Sequence, residues 1–147
     1  MSDKKAFIYG INGPVVTVKN APWLSMLETV FVGNERLIGE VIAVHDGLTV
    51  IQVYEETAGL KIGEPVEGTG APMSVTLGPG LIGDIFDGIE RPLSEIAKIG
   101  GAYISRGTVV DSLTKEKLWD AHMIVKEGDR VSGGSIICEV PETKAIT

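Results

Sequence analysis

The sequence predicts a mainly β protein: a six-stranded N-terminal β-barrel, then a linker, then the start of a second β-rich module. Three observations carry this. Nineteen glycines and seven prolines punctuate 147 residues, so the segments between them are short. Those segments are rich in Val, Ile and Thr, which suit a pleated, half-buried surface. One stretch, RLIGEVIAVHDGLTVIQVYEE (residues 36–56), reads as a hairpin centred on Asp46-Gly47.

Taken in order, candidate strands fall at 6–9, 15–19, 29–32, 37–45, 48–55 and 74–77. The hairpin is the clearest. Asp-Gly fits a two-residue type I′ turn, in which both central residues need positive φ. An unbroken ladder then sets His45 opposite Leu48, Val44 opposite Thr49, Ala43 opposite Val50 and Ile42 opposite Ile51. One face carries Leu37, Val41, Ala43, Leu48 and Val50. The other carries Ile38, Ile42, Val44, Ile51 and Val53. A free hairpin with two apolar faces is not stable in water, so one face must line a core and the other must meet a second layer or another protomer. Beyond the barrel, 83–88 and 93–98 are candidate short helical turns, limited by Gly83, Gly88 and Pro92. The strand texture returns in AYIS, GTVV, MIVKEGD and RVSGGSIICEV. The expected divisions are 1–72, 73–100 and 101–147, with a boundary near Gly100-Gly101 and no internal repeat.

Thirteen basic against twenty acidic residues leave a net charge of −7. That argues against nucleic-acid or anionic-membrane binding, which require clustered positive charge; Lys4-Lys5 is only a lone basic pair. No segment has the ~18 apolar residues of a transmembrane helix, and no signal peptide is expected at the N-terminus. The expected location is cytoplasmic. The single cysteine, Cys138, allows no internal disulfide and sits in the apolar run SIICEV, where a buried small hydrophobe is expected.

The segment LGPGLIGDIFDGIERPL (77–93) contains a literal G-x-G-x-x-G at Gly78, Gly80 and Gly83. A dinucleotide loop requires a strand before the glycines and a long helix after them. Pro79 occupies the tight turn, and Arg91-Pro92 follows only eight residues after Gly83. The phosphate-loop signature requires Lys then Ser/Thr after its second glycine; here Asp84 and Ile85 stand there. Nucleotide binding at this loop is not expected. Its glycines are expected to serve backbone shape.

The same segment resembles a hallmark stretch of the catalytic A-type chains (alpha chains) of V-type and archaeal-type rotary ATPases. GINGPVV (10–16) is similar to that family's opening strand. ERLIGEVIAVHDGLTVIQVYEETAGLKIGEPV (35–66) is similar to its barrel hairpin and the turn after it. ISRGTVVDSLTKEKLWDAHMIVKEGDRVSGGSIICEVPET (104–143) resembles its inserted bulge domain. The resemblance implies ATP hydrolysis or synthesis coupled to proton or sodium transport. It implies a Mg-ATP site in the parent protein, formed between A and B subunits of an alternating ring. It places the phosphate loop and the water-positioning glutamate downstream of Thr147, so no catalytic, cofactor-binding or metal residue is assigned within these 147. The barrel would join a collar of subunits on the cytoplasmic face of a membrane complex, and the bulge would contact peripheral-stalk subunits. The isolated chain is expected to be inactive and to self-associate through its barrel face or unpaired edges.

Two other classes are weighed. VKEGDRVSGGSIICEVPETKAIT is similar to half of a lipoyl or biotinyl carrier domain, with Lys144 where a modified lysine would sit. However, Thr143 replaces the usual acidic residue and Pro141 interrupts the run. A free-standing β-barrel binding module is the other. His45 and His122 lack metal-ligand spacing. Glu55, Glu56, Asp84, Asp87 and Glu90 are expected to be solvated charges. Arg91 is expected to pair with Asp84 or Asp87. Trp23 and Trp119 are expected to pack in a core or interface.

Overall fold

The structure, a computed structural model, describes residues 5–101, 105–114, 116–144 and 146. Six antiparallel strands close a barrel in the order β1-β2-β5-β4-β3-β6. They are β1 Lys5–Asn12, β2 Val15–Lys19, β3 Glu28–Val32, β4 Leu37–His45, β5 Leu48–Val53 and β6 Pro65–Pro72. A short helix, α1 Leu93–Gly100, follows. Two two-residue strands, β7 His122–Met123 and β8 Cys138–Glu139, pair with each other. Two compact units result: residues 1–75 with 102–109, and residues 76–101 with 110–147.

β1, β2, β3, β5 and the first half of β4 turn alternate residues inward, as period-two strands do, while β6 buries only Val66. Ile8, Val16, Val18, Val30, Val32, Leu37, Val41, Ile51 and Val66 are almost wholly buried and form one cluster. Trp23 and Leu60 pack against its margin. The interior of so small a barrel is a side-chain core rather than a channel.

The hairpin turns as its sequence dictates: Asp46 and Gly47 take φ of 37° and 79°. His45 meets Leu48, Val44 meets Thr49 and Ala43 meets Val50. The expected Ile42–Ile51 pair does not form. A β-bulge between Val41 and Ala43 pairs Val41 with Ile51 instead. One extra residue on β4 reverses its facing from there on. Leu37 and Val41 therefore share the core with Thr49, Ile51 and Val53, Ile42 faces outward, and Val44, although paired with the buried Thr49, is exposed near the hairpin's end.

Other expectations are corrected. The sixth strand is β6, not 74–77, and residues 74–77 are irregular. β1 runs three residues beyond the expected Tyr9, and β5 stops at Val53 rather than Glu55. Residues 83–88 hold no helix, only an isolated bridge between Phe86 and Pro92. Pro92 is the N-cap of α1, which ends where Gly101 takes φ of 67°. Of the later strand segments, most of AYIS (102–104) lies outside the described residues, GTVV is irregular, and the last two keep only β7 and β8. Cys138 is half-buried on β8 rather than buried.

The bulge predicts an asymmetry between neighbours on the hairpin. Ile51→Ala should cost about 2–5 kcal/mol, as buried Ile truncations do. Ile42→Ala should cost less than about 0.5 kcal/mol, because its side chain already meets solvent. Urea denaturation checks both. A larger loss at Ile42 than at Ile51 would restore the unbulged register.

Candidate functional site

The glycine-rich loop is the obvious candidate, and its environment within the second unit explains its composition. Gly80 takes φ of 105°, a region closed to most side chains. A Cβ there would lie 3.4 Å from the Trp119 ring. A Cβ on Gly78 would lie 2.9 Å from the Leu113 side chain. The Gly80 N–H donates to Glu142 Oε1 at 2.7 Å. Backbone approach to Leu113 and Trp119, and a donor given to the chain's own carboxylate, account for these two glycines.

Beside the loop is a cavity of about 550 Å³, walled by Pro79, Gly80, Pro92, Leu113 and Trp119. Its charged lining comprises Asp84, Glu95, Asp111 and Glu116 against Lys98 and Lys117. Both ammonium groups are engaged within the chain. Lys98 pairs with Glu95 at 2.5 Å, and Lys117 lies 3.9 Å from the centre of the Trp119 ring. A hydrogen bond and the charge of Glu95 hold Lys98 above its ordinary pKa. Among the described residues, four carboxylates line this cavity against two engaged cations.

The loop's exit is held by Arg91 and Asp87. Arg91 Nε lies 2.7 Å from Asp87 Oδ2, and the two side chains are only 9% and 16% exposed. Asp87 Oδ1 also accepts from the backbone N–H of Ile89 at 3.1 Å and of Arg91 at 2.9 Å. Burial pushes the Asp87 carboxyl up, but the hydrogen bonds from Arg91 and Ile89 outweigh it and leave the pKa below the ordinary value. Arg91 thus pairs with Asp87, one of the two expected partners. Asp87 is a structural ligand rather than a solvated charge. Glu90 Oε2 accepts from the Thr76 N–H at 3.2 Å.

The remaining singled-out residues disperse. His45 and His122 are both exposed, and no group of three metal-binding side chains occurs among the described residues. Glu56 accepts from the Ala58 N–H and Glu55 from the Gly107 N–H. Trp23 belongs to the barrel's margin and Trp119 to the loop's wall. Lys144 is exposed at a bend. The roles of Leu113 and Glu142 had no local signal, since their partners lie 33 to 62 residues away.

The closed antiparallel six-stranded barrel defines the class: a small β-barrel domain. Residues 8–70 match the ATP synthase alpha/beta family, beta-barrel domain, and residues 110–147 match the ATP synthase alpha/beta barrel-sandwich domain. The chain belongs to the ATP synthase alpha/beta family. It is 51% identical to the V-type ATP synthase alpha chain of Halothermothrix orenii, over 99% of this chain and 25% of that protein. It is 50% identical to the corresponding A-type ATP synthase chain of Methanosarcina barkeri, over 95% and 24%. It is 47% identical to the catalytic chain of the V-type proton ATPase of Cyanidium caldarium, over 97% and 25%. The chain spans about a quarter of the length of these curated relatives. The carrier-domain alternative is not supported: the segment that suggested it matches the barrel-sandwich domain of this family. No helix among the described residues is long and apolar enough to cross a membrane.

The Arg91–Asp87 pair predicts two outcomes. Arg91→Ala should lower the thermal midpoint by an amount corresponding to about 3–5 kcal/mol, since it strands a largely buried carboxylate. The depressed pKa of Asp87 contributes stability that is full above the unfolded value of about 3.9 and is lost as pH falls through the lower folded value. Asp87→Asn should therefore flatten the acid limb of stability below about pH 4. An unchanged midpoint in the first variant, or an unchanged acid limb in the second, would contradict this.

Proposed function

We propose that this chain is the N-terminal part of the catalytic subunit of a V/A-type ATP synthase or ATPase, coupling ATP hydrolysis or synthesis to proton or sodium transport. The observation that carries it is the 51% identity to a V-type ATP synthase alpha chain across 99% of the chain. The closed six-stranded barrel within the matched barrel domain supports it. In this role the 147 residues are structural.

The barrel serves as a collar element beside B subunits in an alternating ring. Phe7, Tyr9, Ile42, Val44 and Tyr54 are each at least 38% exposed on barrel strands or at their ends, and they supply apolar surface for such neighbours. The barrel-sandwich segment serves as the bulge, facing peripheral-stalk subunits. The complex sits on the cytoplasmic face of its membrane. Mg-ATP binds the longer polypeptide, at a phosphate loop that these residues do not contain. After the spacing Gly78 to Gly83 come Asp84 and Ile85, which provide neither the phosphate-binding Lys nor the metal-holding Ser/Thr.

Two measurements test this. Calorimetry should detect no Mg-ATP binding to the 147-residue chain. The full-length polypeptide, co-expressed with its B-type partner, should hydrolyse ATP in a magnesium-dependent way. Binding by the short chain, or no hydrolysis by the assembled pair, would overturn the assignment. The isolated chain should also self-associate as concentration rises, through the apolar surface its neighbours would cover. A strict monomer in sedimentation velocity would count against the collar role.

A further inference from the structure

Residues 105–109 lie outside both matched domains, yet they form one compact unit with the barrel. We propose that this segment is a salt-sensitive latch that closes over the barrel by gripping the β3–β4 turn and the chain just after β5. Arg106 is its centre. Its Nη1 donates to the Ala58 carbonyl and, at 3.4 Å, to the Glu56 carbonyl. Its Nη2 meets Glu35 Oε1 at 3.1 Å. One residue on, the Gly107 N–H donates to Glu55 Oε2 at 3.0 Å. Thr108 Oγ1 donates to the Ser105 carbonyl at 2.6 Å and folds the segment on itself.

The fit is steric as well as polar. Gly107 takes φ of 64°, and a Cβ there would run into the Glu35 carbonyl oxygen. The planar guanidinium reaches two carbonyls and a carboxylate at once, which a single ammonium point charge does not reproduce. The grip joins turns about 20 residues apart from a position about 50 residues further on.

It is a latch because its hold is polar and near water. The Arg106 side chain is 33% exposed and the Glu35 side chain 50%. Val109 is 75% exposed and adds no apolar anchor. Exposed ion pairs are individually weak. They weaken further as the Debye length falls from ~10 Å at 0.1 M salt to ~3 Å at 1 M. The barrel core, by contrast, is apolar and closed without this segment. The latch therefore opens locally while the barrel stays folded.

Hydrogen exchange by mass spectrometry on the whole 147-residue chain tests this. Peptides covering 105–109, where Glu55 Oε2 holds the Gly107 N–H, should exchange ~3–10-fold faster in ~1 M than in ~0.1 M salt, as screening opens the latch. Peptides from β2 and the centre of β5 should not change. In Arg106→Ala the latch peptides should exchange fast at both salt concentrations, and Arg106→Lys should be intermediate. Gly107→Ala should match Arg106→Ala although it keeps every charge. Equal low-salt protection in wild type and Arg106→Ala would overturn the proposal. So would acceleration spread over all strands, which marks a global staple, or a salt effect that persists undiminished in Arg106→Ala. If Arg106→Ala fails to fold, Arg106→Lys and Gly107→Ala carry the same comparison.

Discussion

Closure of the barrel is the constraint on which the rest depends. β1 and β6, the two ends of the sheet, pair through Lys5–Glu67, Ala6–Val66 and Phe7–Pro65. That pairing leaves no open edge among the six strands and forces every inward residue into one small core. Val16, Val18, Val30, Val32, Val41 and Val66 fill it. Their short branched side chains fit a narrow interior and hold few rotamers. A flat sheet does not close, and the register shifts between Ile8 and Gly10, Glu28 and Val30, and Val41 and Ala43 supply the bends. At one of these, the buried carboxylate of Glu28 accepts from the N–H groups of Ser25 and Gly70 at 2.9 and 2.8 Å. A charge that would be costly inside the barrel instead provides acceptors where the ladder is interrupted.

How much of this was legible depended on the range of the interactions. The Asp46-Gly47 turn and the first three pairs beyond it are local, and they could be read from turn chemistry and alternation. The bulge at Ile42 could not. Val41, Ile42, Ala43 and Val44 are all apolar, so the sequence allows either facing, and only the closed core chooses Val41 and Ile51. The sixth strand was illegible for another reason. PVEGTGAP contains two prolines and two glycines and has weak β propensity. It is a strand because β1 and β3 need a partner between them, whereas the more strand-like VTL of residues 75–77 has no ladder to join. Tertiary demand outranked local preference in both cases.

The glycine loop shows the same division. Asp84 and the early Arg91-Pro92 were enough to set aside phosphate chemistry, because they are local violations of a local motif. The positive purpose of Gly78 and Gly80 was hidden, since it depends on Leu113, Trp119 and Glu142. Asp87 is one of the two partners expected for Arg91, but its burial has no local signature. A carboxylate four residues before Arg91 can accept from the arginine's backbone and side chain together, and that geometry encloses it.

The two matched domains leave residues 71–109 between them, and polar anchoring is concentrated there. Glu90, Asp87, Arg91, Arg106 and the Gly80 N–H each hold backbone or carboxylate partners within their own unit. The matched barrel relies mainly on buried aliphatic surface, which tolerates substitution provided volume and facing are kept. A charged contact at a tight backbone approach has no such latitude, because removing one member leaves the other unsatisfied. In the segment between the two matched domains, residue identities are therefore narrowly determined by physics. In this segment glycine and arginine set the path of the chain, and the phosphate-like spacing of its glycines follows from that path.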